Sequence, residues 1–126
     1  MKKYRKRKTY SRFIPSGCKL LEAYKDKHNT RILYYTDENG VKYLDVESSC
    51  SQPDINSSAE FLDNPCYIFG FVMCYSECLF VLSKNKCALR WFKKRALEFT
   101  YQGKTIKDFL KTSGNIDWEK AKEGRD

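Results

Sequence analysis

The sequence predicts a small α+β domain: an antiparallel sheet of about five or six strands, two or three short helices packed on it, and a basic arm in front. Three observations carry this. The chain has 126 residues, of which 41% are apolar and 15% aromatic, enough for one modest core and too apolar for a disordered chain. Two runs rich in β-branched and aromatic residues, Arg31–Tyr35 and Val41–Val46, flank the turn signal Asp37-Glu38-Asn39-Gly40. Finally, Lys86–Leu97 has helical and not strand periodicity. The expected organisation is an arm over residues 1–14, one domain over 15–112 and a short helical tail over 113–126.

Taken in order, Pro15-Ser16-Gly17 closes the arm. Lys19–Tyr24 is short enough for a strand, and His28-Asn29 turns the chain into the next one. Arg31–Tyr35 and Val41–Val46 then form a hairpin, with Asn39-Gly40 supplying the positive φ of a type I′ turn. Residues 47–58 read as a polar loop, and Ser57 or Ser58 as the cap of a short helix through Asp63, stopped by Asn64-Pro65. Cys66–Cys74, almost wholly apolar, reads as a central strand buried on both faces, with a bulge or a close backbone approach at Gly70. A turn at Tyr75-Ser76-Glu77 leads to another strand over Cys78–Leu82.

At 100° per residue, Ala88, Leu89, Trp91, Phe92 and Ala96 share one arc of a helix over 86–97. Lys86, Arg90, Lys93 and Lys94 share the opposite arc, and Arg95 falls among the apolar residues, where its stem can run past Trp91. Phe99–Tyr101 reads as a last strand and Gln102-Gly103 as a turn. Thr105 and Asp108 have capping-box spacing for a helix through Lys111 or Thr112, and Asn115 or Asp117 opens a terminal helix anchored by Trp118. Acids at Glu119 and Glu123 argue against a DNA-reading helix there.

Charge is the best lead to function. The formal net charge is +8, and residues 1–12 hold seven bases (Lys2, Lys3, Arg5, Lys6, Arg7, Lys8, Arg12) without an acid. Residues 84–95 hold six more: Lys84, Lys86, Arg90, Lys93, Lys94 and Arg95. Outside these clusters 11 bases face 16 acids, so positive charge is segregated on a mildly acidic body. Such segregation is the footprint of a polyanionic or acidic partner. Tyr4, Tyr10 and Phe13 interleave the arm's bases, which suits stacking on nucleobases or anchoring in a partner. The blander readings are a solubilising tail and an ordinary solvated helix face.

Other chemistry finds little support. No apolar run is long enough to cross a membrane, and the charged start does not enter an apolar stretch, so neither a span nor a secretory leader is expected. The expected location is the cytoplasm, or the nucleus if Lys2–Lys8 serves as an import signal. Six cysteines in such a chain point to reduced thiols. Cys74 and Cys78 have a permissible zinc spacing that Cys66 or Cys87 could complete, although buried cysteines commonly act as small hydrophobes. His28, the only histidine, lies in a turn without a cysteine or serine motif beside it. Gly103-Lys104-Thr105 imitates the end of a P-loop, but Glu98 stands where the first glycine belongs. No carboxylate pair suits metal-dependent catalysis, so an enzyme is not expected, and no cofactor is implied.

The opening Tyr4-Arg-Lys-Arg-Lys-Thr-Tyr10-Ser-Arg-Phe13 resembles the basic, aromatic-dotted tails of small phage-encoded inhibitors, including Cas9-directed anti-CRISPR proteins. The resemblance implies a protein that binds a nucleoprotein machine in the host cytoplasm, its tail in a nucleic-acid channel and its body against a partner surface. The residues themselves suggest a non-enzymatic binder of DNA, RNA or a nucleoprotein complex. Its expected contacts are Lys2, Lys3, Tyr4, Arg5, Lys6, Arg7, Lys8, Tyr10, Arg12 and Phe13 in the arm, with Lys86, Arg90, Lys93 and Lys94 on the helix. The alternatives are a protein–protein inhibitor whose arm only steers the encounter, and a zinc-stabilised module.

Overall fold

Strands that bury one face must be covered, and here helices cover one side of a sheet. The computed structural model describes residues 14–48, 57–65 and 67–123. The arm residues before Ile14, together with Cys66, lie outside the described residues. Strands β1 (Lys19–Lys25), β2 (Thr30–Thr36), β3 (Lys42–Ser48) and β4 (Ser57–Leu62) form an antiparallel sheet in the order β1-β2-β3-β4. Three helices follow, α1 (Ile68–Val81), α2 (Lys86–Ala96) and α3 (Trp118–Lys122), with a 3-10 turn over Ile106–Phe109 between the last two. The α+β class is as the sequence predicts, with four strands among the described residues and not five or six.

The first three strands form the expected meander, and both of its loops use one device. Asp26 Oδ1 accepts from the backbone N–H of His28 and Thr30 at 2.9 and 3.4 Å. Asp37 Oδ1 accepts from Asn39 and Val41 at 2.8 and 3.0 Å. Each loop then closes through a left-handed residue, Asn29 at φ 61° and Gly40 at φ 86°. These are three-residue hairpin loops, so the type I′ turn expected at Asn39-Gly40 is replaced: only Gly40 has positive φ, where type I′ needs two such residues. Type I′ chemistry appears instead at Gln102 (φ 53°) and Gly103 (φ 77°), between Tyr101 and Lys104.

The larger corrections come after β3. Residues 57–62 are a strand, not the expected capped helix. β3 offers a free edge of backbone donors and acceptors, and β4 satisfies it in continuous register from Ser48↔Ser57 to Tyr43↔Leu62. Alternation then sends Phe61 into the core and Glu60 to the other face. The two strands expected over 66–74 and 78–82 are one helix. Phe71, Tyr75, Cys78 and Leu82 are all buried at helical spacing, and Glu77, read from sequence as part of a turn, is simply on the exposed side. Phe99–Tyr101 is not a strand either, since Tyr101 makes only an isolated bridge to Lys104. The expected helix through Lys111 shortens to one 3-10 turn ending at Phe109, begun by the foreseen capping box in which Thr105 N–H donates to Asp108 at 2.8 Å.

The core lies between the sheet and the helices. α1 crosses the β3–β4 half, while α2 covers β1 and β2. At the centre Phe61 meets Phe71, Tyr75, Phe92 and Phe99 at ring-centroid distances of 4.9–6.0 Å. Leu33 and Tyr35 point to the sheet's other face, where Ile14, Cys18, Leu20 and Tyr43 pack against them.

Candidate functional site

Helix α2 is built as its sequence demands. Asn85 caps it, its side-chain oxygen accepting from Ala88 N at 3.1 Å. Ala88, Phe92 and Ala96, each four residues apart, form a fully buried stripe. Lys86, Arg90, Lys93 and Lys94 consequently stand together on the exposed side, where the periodicity puts them. Arg95 behaves differently. Its guanidinium lies 4.0 Å from the Trp91 ring centroid and reaches Glu22 at 2.8 Å, so its stem and charge are spent inside the molecule. The four outward bases make no ion pair among the described residues. Lys93 and Lys94 also complement the helix dipole at its C-terminal turn, a structural benefit independent of any ligand.

The start of α2 is tied to the β1–β2 loop by a polar network that no sequence pattern announces. Asn85 Nδ2 donates to Asp26 Oδ2 at 2.8 Å and to Thr30 Oγ1 at 3.1 Å. Thr30 in turn shares a 3.0 Å hydrogen bond with Ser48, and the Tyr24 hydroxyl donates to Asp26. Thr30 is fully buried and Asn85 nearly so, which makes each of these bonds costly to lose. Burial alone would raise the Asp26 carboxyl pKa. The hydrogen bonds from Tyr24, Asn85 and the two loop amides outweigh it and hold the carboxyl below its ordinary value. The Tyr24 phenol is pushed the other way, up to about 12, by burial and by its bond to Asp26.

Tyr24, Asp26 and Asn85 of this network also line a recess of about 380 Å³, together with Lys27, His28, Lys84, Lys86 and Cys87. Its walls come from the end of β1 with the β1–β2 loop and from the start of α2 with the loop before it, two stretches so distant in sequence that no local pattern announces the recess. His28 and Cys87 are both among its lining residues.

The arm and α2 do not start from one side of the sheet. Ile14, where the described chain begins, packs against Leu33 and Tyr35 on the face opposite the helices. The arm therefore joins the body on the side of the sheet away from α2. Thirteen residues precede Ile14, and an extended chain of that length spans at most about 45 Å, so reach alone does not separate the clusters. The outer face is mixed in charge: Arg31 pairs with Glu47 at 3.1 Å, and Asp45 stands directly opposite Glu60. Burial, then the charge of Glu60, push the Asp45 carboxyl above its ordinary range, with Arg31 opposing.

Of the cysteines that the alternative zinc reading names, Cys66 lies outside the described residues. Cys74 and Cys78 share one face of α1 in or beside the core, and burial pushes both thiols up, whereas a metal ligand needs the thiolate. Cys87 is exposed at the start of α2. Among the described residues no three His, Cys, Asp or Glu side chains are grouped to hold a metal ion, and no helix is long and apolar enough to cross a membrane. No protein-family model, no curated protein and no solved structure matches this chain.

Proposed function

We propose that the chain is a non-enzymatic binder of nucleic acid, or of a complex that carries it, and that α2 is its docking face. The observation that supports this is the outward row Lys86, Arg90, Lys93 and Lys94, exposed and without ion pairs among the described residues. Bases left in this way repel one another, and a phosphate backbone relieves that repulsion while releasing counterions. The aromatic-dotted arm supplies a second, separate set of phosphate and stacking contacts under this proposal.

The reading is tested by fluorescence anisotropy with a labelled polynucleotide over a salt series. The expected log–log slope against salt is about −0.7 to −0.9 per contacted phosphate, and K93Q/K94Q makes it shallower by roughly two contacts. A slope near zero, or one unchanged in the variant, overturns the assignment of α2.

A second reading draws on the carboxylates Asp45, Glu47 and Glu60 of the outer sheet face. It makes the body a protein inhibitor of a nucleic-acid-processing complex, with the arm steering the encounter. A partner captured from extract and retained after nuclease digestion favours this reading; a partner released by nuclease favours the first.

A further inference from the structure

We infer that the recess between the β1–β2 loop and the start of α2 holds one nucleotide of an unpaired strand, its phosphate among Lys27, Lys84 and Lys86 and its base against Tyr24. This rests on the docking role proposed for α2 and names the form of nucleic acid that the face takes. The volume of about 380 Å³ falls at the low end for small-molecule sites, which suits one nucleotide and not a duplex end.

The charges are arranged for a phosphate. Lys27 from the β1–β2 loop, Lys84 from the loop before α2 and Lys86 at the start of α2 are all exposed and make no ion pair among the described residues. The lining holds a single acid, Asp26, and its carboxylate is already engaged by four donors: the His28 and Thr30 amides, the Tyr24 hydroxyl and the Asn85 amide. Those donors offset its charge, so it opposes an incoming anion less than a free carboxylate would.

The aromatic wall is held in advance. The Tyr24 ring is anchored at its hydroxyl by Asp26 and packs beside Trp91 at 5.7 Å between centroids. A stacking partner fixed in this way need not be ordered when a base arrives. Lys86 also belongs to the exposed row on α2, so a strand filling the recess continues along Arg90, Lys93 and Lys94 without a break. That row is about 12 Å long at 1.5 Å per residue. A paired base is stacked inside its duplex and reaches such a recess only by flipping out, which breaks its stacking and pairing. Unpaired strands avoid that cost.

The test compares a labelled oligothymidine with a labelled duplex of matched length, using the full chain at one salt concentration. The unpaired strand is expected to bind more tightly. The variant K27Q/K84Q, which removes only exposed recess bases, is expected to weaken single-strand binding by about tenfold and duplex binding by less than about threefold. K93Q/K94Q is expected to weaken both. Equal losses for the two forms in K27Q/K84Q, no loss in either, or a preference for duplex each overturn the recess assignment while leaving α2 as a docking face. If wild-type protein binds neither form, the docking proposal itself fails.

Discussion

Asn85 is the residue whose replacement separates the account from simpler ones. Asn85→Ala removes the cap of α2, worth about 1 kcal/mol. It also removes the two hydrogen bonds that its amide donates to Asp26 and to the fully buried Thr30, each worth about 0.5–1.5 kcal/mol. The expected loss is therefore about 2–4 kcal/mol, read from urea unfolding with CD detection. Asn85→Asp keeps the capping acceptor but sets a carboxylate against Asp26, so it should destabilise despite being an equally good cap. Restoring one amide and one carboxylate in D26N/N85D should recover part of that loss, giving a favourable coupling in a double-mutant cycle. If Asn85→Ala lies within about 0.5 kcal/mol of wild type, or if N85D and D26N simply add, the network does not hold the loop to the helix.

Three further outcomes follow from the packing and the pKa shifts. Phe61→Ala removes the ring at the centre of five packed aromatics and should cost about 3–5 kcal/mol in the same unfolding assay; a loss under 1 kcal/mol contradicts that placement. Asp45 has a folded pKa above the ordinary value of 3.8, so the folded state takes up its proton first and gains stability from this group as pH falls from neutral toward that value. Asp45→Asn should therefore raise the melting temperature most at neutral pH, with the difference shrinking by about pH 4, and a constant difference refutes it. Asp26 has the opposite sign: its contribution is present above the unfolded value of 3.8 and is lost as pH falls through the lowered folded pKa, which Asp26→Asn abolishes.

Much of the fold was legible where local chemistry decides it. The meander could be read from the aromatic and β-branched run Arg31–Tyr35, from Leu44 and Val46 alternating with Asp45 and Glu47, and from the turn signal between them; α2 could be read from a stripe that leaves its bases outside. The stretch from Ile68 to Leu82 misled because a helix apolar on nearly all sides has no polar face to reveal its period. Only its 14-residue helical length separates it from a buried strand, and splitting it at Ser76-Glu77 concealed that length. Residues 57–62 are too short for periodicity to decide, and the free edge of β3 decided instead. In the site, the exposed row on α2 followed from spacing, whereas the recess did not. It depends on Asp26 and Asn85, which are 59 residues apart, meeting across the sheet and helix layers. A polar pair of that separation leaves no local trace.

The measurement closest to the central proposal is an amide chemical-shift titration of labelled protein with oligothymidine. The largest shifts are expected over Lys84–Lys94 and the loop Asp26–Asn29, with Tyr43–Glu47 on the outer strand face little changed. Shifts concentrated on that outer face, with α2 silent, would contradict the proposal.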